Sequence, residues 1–342
     1  MTDLKIACIT PFGNVRCGIK TYSEALLGAL AKKGVETYVV RLPRFGTKTP
    51  EILRNIAQSV PWDKIDILSC QHEYGLYQNL DGGFFDCLAQ GGKPVITTMH
   101  AVGFPSDPYI ASKSDRIIVH NKHCARMLRR RGVKNFTIIP HGVASRGSVP
   151  MEEAKQSYGI PSDAPVVGYL GFLSEYKGLE DLIAAMTHVP NAALMVAGGW
   201  FMGPETGYIT NLKKWSLQAL PGRVIWTGYV PDADLSKAYS SMDVVVYPSV
   251  YQSESGAMLM ALGHGKAVIA RNLAPTREKV GHGVVTFKKV KDLVKIIEKL
   301  LSDTGLRGRM EDEARQFSAE NSLDVVADKH IELFEKIVET RS

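Results

Sequence analysis

The residues best placed to do chemistry are a lysine at a helix start, a carboxylate in a serine-rich loop, and histidines that end apolar strands. Lys177 lies in Gly171-Phe172-Leu173-Ser174-Glu175-Tyr176-Lys177-Gly178-Leu179, where a helix is expected to begin. A helix dipole disfavours a cation there, so a bound anion explains Lys177 better than solvent does. Its ammonium and the first-turn amides can converge on a phosphate. The loop Ser253-Glu254-Ser255-Gly256-Ala257 joins the buried strand Val244-Val245-Val246-Tyr247 to a helix carrying Met258, Leu259, Ala261 and Leu262. A small polar loop in that position presents backbone N–H groups to an anion. An ordinary strand–helix turn would have no need of Glu254 beside those amides. His100 ends the strand Pro94–Met99 at the sheet edge where ligands bind, able to meet a sugar hydroxyl or a developing charge. Alone it would be read as satisfied by the backbone, but His72, in Gln71-His72-Glu73-Tyr74, ends another strand on the same edge. His141 is similarly placed beside a linker.

Other patterns carry less. Arg126, Arg129, Arg130 and Arg131 recur at helical spacing and offer a peripheral contact with an anionic membrane. A solvated helix face outweighs that reading, because the apolar partner face is short. No H-E-x-x-H, paired-cysteine or clustered-carboxylate motif points to a metal, and Asp232-Ala233-Asp234 reads as a helix cap.

The elements that must hold these residues form two similar series. Strands are expected at 4–9, 36–42, 65–70, 94–98, 116–120 and 136–139, with helices between most of them, the first over 19–33. A second series runs through 165–170, 192–197, 223–227, 243–247 and 266–270. Such alternation predicts an α/β chain of two doubly wound, Rossmann-like sheets. The first domain is expected over 1–146, completed by a C-terminal helix at 322–342, and the second over 147–321. Their strand C-terminal edges would face each other across a cleft, where the ligand belongs. The Gly13–Gly18 loop is looser than a dinucleotide fingerprint, so nicotinamide binding is not supported.

Composition bounds the answer. A chain of 342 residues is long for one core, and 45% hydrophobic with 22% charged residues is ordinary for a globular protein. The net charge of +6 suits phosphorylated ligands but is too mild to argue nucleic acid. Five cysteines without a C-x-x-C fit reduced thiols in a cytoplasmic protein, peripheral at the inner membrane surface at most. No run of apolar residues is long enough to span a membrane.

In order and spacing, several motifs together resemble the retaining glycosyltransferases of the GT-B fold, specifically the large family 4 group, over essentially the whole chain. They are the Gly13–Gly18 loop, Thr98-Met99-His100, Ile139-Pro140-His141-Gly142-Val143, Gly171-Phe172-Leu173 with Tyr176-Lys177-Gly178-Leu179, and Ala197-Gly198-Gly199. Further on come Trp226-Thr227-Gly228-Tyr229-Val230-Pro231, Asp243–Ser249 and Gly265-Lys266-Ala267-Val268-Ile269-Ala270. The resemblance implies a nucleotide-sugar donor held mainly by the second domain and a glycan or lipid-linked acceptor held mainly by the first, where His72 and Glu73 stand. It implies hexose transfer, of mannose or glucose type, with retention and without metal or cofactor, a lysine and helix amides neutralising the diphosphate. Lys177 takes that lysine role. Tyr229 and Val230 would touch the base, and Ser253, Glu254, Ser255, Gly256 and Ala257 the sugar and phosphate. Gly171 and His141 would line the donor site, Gly18 would approach the diphosphate, and His100 would face the sugar. Three positions depart from the family. Phe172 stands where an Arg is common, and Gln252 and Met260 occupy the places of paired glutamates. Methionine cannot accept the ribose hydroxyl bond usual there. Those departures motivate a competing reading, a catalytically inactive GT-B protein serving as partner or regulatory subunit in glycan assembly.

Overall fold

The computed structural model describes residues 3–341 except 45, 47, 79–80, 145–146, 201–204 and 206; side chains 81 and 82 are also excluded. The chain divides into two compact units, Met1–Gly142 with Asn321–Ser342, and Val143–Glu320. The boundary expected at 146/147 falls partly on residues outside that description. The division comes earlier because Val143 is buried in the second unit's core, whereas Gly142 packs against Leu323 of the first.

In the first unit, β1 (Lys5–Thr10), β2 (Glu36–Arg41), β3 (Ile67–His72), β4 (Val95–Met99), β5 (Arg116–Val119) and β6 (Phe136–Ile138) form one parallel sheet in the order β2-β1-β3-β4-β5-β6. Both faces of its central strands are apolar, as a sheet covered on two sides requires. Ala7, Ile9, Leu68 and Cys70 face one core. Ile6, Cys8, Ile67, Ile96 and Ile118 face the other, which the helices Gly18–Lys32 and Leu323–Arg341 cover. The C-terminal helix thus returns to the first unit, and Lys33 pairs with Asp328 at 2.7 Å.

In the second unit, β7 (Val166–Leu170), β8 (Ala193–Ala197), β9 (Val224–Gly228), β10 (Val244–Tyr247), β11 (Val268–Arg271) and β12 (Val284–Phe287) are also all parallel, in the order β12-β11-β10-β7-β8-β9. Strand β12 and the helix Thr304–Glu320 are not among the elements read from the sequence. Val284-Val285-Thr286-Phe287 is too short to stand out by periodicity. Asp243, at the N-terminal end of β10, accepts the Val166 amide and pairs with the buried Lys155 at 3.1 Å. Lys266 spends its ammonium on the Met242 carbonyl at 2.8 Å. Charges at that end of the sheet are therefore engaged with the protein itself.

His330, in the C-terminal helix, is a pH-sensitive point of the first core. Its Nδ1 bonds the Val326 carbonyl at 2.8 Å, its Nε2 is buried without a partner, and burial lowers its pKa to about 4. The unfolded chain binds a proton near pH 6.5 and the fold does not. Stability is therefore retained above pH 6.5 and falls as pH drops from there towards 4, by about 3 kcal/mol at roughly 1.4 kcal/mol per unit. Denaturation of the first unit at pH 7.5 and pH 4.5 should show that loss, and His330→Leu should flatten it.

Candidate active site

Strand order reverses at β7, which lies between β10 and β8. In an open parallel sheet the ligand crevice opens beyond the strand C-termini at such a point. There the backbones come unusually close. A Cβ on Gly198, just after β8, would lie 1.9 Å from the Gly171 carbonyl oxygen, just after β7. One on Gly171 would lie 3.5 Å from the Ala257 Cβ. Buried tyrosines hold these turns. Tyr169 donates its hydroxyl to the Phe172 carbonyl at 2.9 Å, and Tyr247 and Tyr239 donate to the Ala257 carbonyl at 2.8 and 3.1 Å. Burial raises the pKa of all three phenols, which keeps them neutral donors.

The helix Gly256–Gly263 starts at this edge, capped by Ser255, whose Oγ accepts the Met258 amide at 3.2 Å. Gly256, in its first turn, is exposed. Glu254 accepts the Ser255 amide at 3.0 Å and pairs through its other oxygen with Lys279 at 2.8 Å, both side chains being nearly buried. Gln252 donates to the Thr276 hydroxyl at 3.0 Å, and Ser253 is buried. Lys177 does not open a helix, as its position in the sequence suggests. It ends a single 3₁₀ turn, Glu175–Lys177, and the helix begins at Leu179. Between them Gly178 has φ +65°, and a Cβ there would strike the Pro248 carbonyl at 2.6 Å, so glycine is required. The Val250 amide donates to the Tyr176 carbonyl at 2.8 Å, fastening this turn to the loop after β10. The Lys177 ammonium lies 4.6 Å from the Tyr176 ring centre, and among the described residues no carboxylate forms an ion pair with it.

The remaining donor-side positions divide by burial. Phe172 and the half-exposed Tyr229 present rings 6.4 Å apart and 17° from parallel. Val230 is buried in the core and Met260 packs against it, partly buried. The Met260 carbonyl is bonded to His264.

In the first unit the order reverses between β1 and β3. Gly18 opens the helix Gly18–Lys32 there, exposed, and Cys17 before it supplies no side-chain cap. His72, at the end of β3, is wholly buried against Tyr74, Tyr77 and Phe85, so its ring belongs to the core and not to an acceptor surface. Glu73 beside it is half-buried at the start of the short helix Tyr74–Tyr77. His100, His120 and His141 close around Tyr22, at 5.0, 5.3 and 4.6 Å between ring centres. Burial, and then the imidazoles of His120, His141 and His72, press the His100 pKa well below the usual 6.5.

His120, Gln71, Tyr22 and Lys279 escaped the reading of the sequence. His120 had a usable signal, since it directly follows β5 as His100 follows β4; Lys279 had none. The arginine run lies on and just after the helix Lys122–Arg130, but not as one free face. Arg129 stacks over Phe136, and Arg131 pairs with Asp107 and donates to the Gly103 carbonyl. Among the described residues no three His, Cys, Asp or Glu side chains form a metal-binding group, and no helix is long and apolar enough to cross a membrane.

Residues 150–317 match the family model of glycosyl transferases, group 1. The match covers most of the second unit and both of its turns at the strand reversal. A glycosyltransferase of Methanocaldococcus jannaschii, described as uncharacterized, is 29% identical over 193 residues, 54% of this chain and 48% of its own length. The processive diacylglycerol alpha-glucosyltransferase of Acholeplasma laidlawii is 27% identical over 174 residues, 50% of this chain and 48% of that protein. The chain thus spans about half the length of these relatives. An Anabaena protein solved with UDP-glucose superposes with a TM-score of 0.80 at 15% identity, over 97% of this chain and 100% of that one. The fold is the two-domain, Rossmann-like architecture of GT-B glycosyltransferases.

The Glu254–Lys279 pair in the second unit is testable by denaturation. Lys279→Met takes the ammonium at 2.8 Å away from a carboxylate that has little water, which should cost about 3–5 kcal/mol. Adding Glu254→Gln should recover most of the loss. An additive double variant would show that the two side chains act independently.

Proposed function

We infer that the chain transfers a hexose from a nucleoside-diphosphate sugar to a glycan or lipid-linked acceptor, with retention and without a metal. The observation that carries this reading is the Lys177 charge, unpaired among the described residues, on a turn bonded to the loop that feeds the helix Gly256–Gly263. Departure of a diphosphate leaves negative charge on its oxygens. Lys177 and the first-turn amides around Gly256 and Ala257 would stabilise that charge where it develops. Gly198 lets the two turns pass backbone against backbone, so peptide groups would line the phosphates, and Phe172, Tyr229 and Val230 would flank the base. Ser253 and Glu254 would orient donor hydroxyls, His100 and His141 would support the sugar and donor, Gly18 would approach the diphosphate, and Glu73 would shape the acceptor side, with the buried His72 only supporting it from the core. Gln252 and Met260 make no charged contact with the ribose, so donor binding would be looser by roughly 1.5–3 kcal/mol. UDP-glucose is the first donor to test, because the Anabaena neighbour was solved with it and the Acholeplasma relative is named a glucosyltransferase.

The reading fits a protein working at a membrane surface from the cytoplasm, with Arg126 and Arg130 as the contact. The competing reading, a partner protein without activity, draws on Glu254 being held by Lys279 and Gln252 by Thr276. Calorimetry with UDP separates the two, since an inactive partner need not bind it at millimolar concentration.

Lys177→Ala should reduce transfer from UDP-glucose by about 100-fold or more with an unchanged thermal midpoint. Mass spectrometry of product and of donor hydrolysis measures this. Wild-type turnover should persist in EDTA. Near-normal activity of the Lys177 variant, or complete loss in EDTA, would defeat the assignment of charge neutralisation to this chain.

A further inference from the structure

His100 stands in a chain of hydrogen bonds that can be counted. Gln71 Oε1 lies 2.9 Å from His100 Nε2, His100 Nδ1 lies 3.4 Å from His120 Nε2, and His120 Nδ1 lies 3.1 Å from the Ile139 carbonyl oxygen. Three links need three hydrogens. Two neutral imidazoles carry two N–H groups, one each. The Ile139 end is a backbone carbonyl and can only accept, so His120 must place its proton on Nδ1. That leaves His120 Nε2 as an acceptor and puts the His100 proton on Nδ1. His100 Nε2 then carries a lone pair and faces Gln71.

Two states complete the chain. If the Gln71 oxygen faces the ring, a third proton must sit on the imidazoles, giving one positive charge to the pair. If the Gln71 nitrogen faces the ring, the amide supplies the missing hydrogen and both rings stay neutral. Amide oxygen and nitrogen are almost the same size, so the partners decide between the two. On its far side Gln71 meets the Ser69 hydroxyl at 3.4 Å and the Cys8 thiol at 4.0 Å. Each can donate as readily as accept, so that side tolerates either orientation. The titratable groups around His100 are Tyr22 from the helix Gly18–Lys32, His72 from β3, and His120 and His141 from the turns after β5 and β6. Cys8, on β1, lies one residue further away, beyond Gln71. Among the described residues no carboxylate is one of the groups that shift His100, and burial raises the Cys8 thiol pKa to about 12, so none of these groups offers a negative charge to offset an imidazolium.

We propose that Gln71 and His120 are positioning residues that hold His100 as the neutral Nδ1–H imidazole, with the Gln71 amide nitrogen turned to His100 Nε2. One added proton turns the amide over, so the charge of His100 and the orientation of Gln71 change together. For the sugar transfer inferred above, on which this role rests, the consequence is specific. A substrate hydroxyl can donate to His100 Nε2 only by displacing the Gln71 amide, and an imidazolium at that point is excluded at neutral pH.

Long-range ¹H–¹⁵N spectra of the full chain labelled with ¹⁵N-histidine read the state directly, with His100→Asn and His120→Asn giving assignments. At pH 7.5 both His100 and His120 should be protonated on Nδ1 alone. A proton on His100 Nε2, alone or with Nδ1, overturns the proposal. In Gln71→Glu the end cap can only accept, so the His100 pKa should rise by about one unit or more as the pair takes a third proton. An unmoved titration is also a refutation. In His120→Asn the lost acceptor should release His100 into a mixture of tautomers, and retention of pure Nδ1–H would show that His120 does not set it. These spectra concern the free protein and stand even if it transfers no sugar. If it does, the acid limb of kcat against pH should move upward in Gln71→Glu together with the His100 titration, whereas a merely structural role would lower kcat at every pH alike.

Discussion

The second unit is organised by how closely its backbone passes itself where β7 and β8 leave the sheet. The Gly171 carbonyl occupies the space a side chain at 198 would need, and Ala257 comes to van der Waals distance of any side chain at 171. Such contact replaces side chains with peptide groups, which are rigid, polar and unable to move aside. It also leaves peptide groups, not side chains, where these strands end. Gly171 and Gly198 therefore set how closely these two turns can pass. Without them the helix Gly256–Gly263 could not bring its first turn against the end of β7.

Close backbone packing leaves carbonyls that must be satisfied away from water, and this explains three core tyrosines. Tyr169, Tyr239 and Tyr247 are large apolar fillers whose hydroxyls reach the turns and bond Phe172 and Ala257. An unpaired buried carbonyl costs about 1–3 kcal/mol, so each phenol stabilises the core and fixes the position of a turn at the strand reversal at once. Phenylalanine would fill the same volume and leave the turns unanchored. Packing and site geometry are here the same interaction.

The legible and illegible parts of the chain follow from the same physics. Strand ends such as Met99–His100 and Tyr247–Pro248 were readable because parallel strands buried on both faces appear as uninterrupted apolar runs, and ligands gather beyond them. Lys177 was read as the start of a helix and not as the end of a 3₁₀ turn, since Gly178 is recognisable as necessary only once Pro248 is seen beside it. His72 misled because a histidine ending a strand looks the same in sequence whether its ring faces solvent or lies among Tyr74, Tyr77 and Phe85. Lys279 was invisible, being 25 residues from Glu254 and without local pattern. Strand position is periodic and local, whereas partners across a sheet edge are neither.

The Lys279 contact resolves an electrostatic conflict that Glu254 creates. A carboxylate beside the first turn of the helix Gly256–Gly263 is favoured by the helix dipole, but it competes with any other anion for the same amides. Two anions a few ångströms apart at low dielectric repel by several kcal/mol. A lysine 2.8 Å from Glu254, with both side chains nearly buried, cancels that charge before a ligand arrives. Of the two Glu254 oxygens, one takes the Ser255 amide and the other the ammonium. With Glu254 and Lys279 neutral as a pair, Lys177 is, among the described residues, a cation on this edge with no carboxylate in an ion pair with it. That arrangement suits a phosphate-bearing ligand and would not exist if Glu254 stood alone.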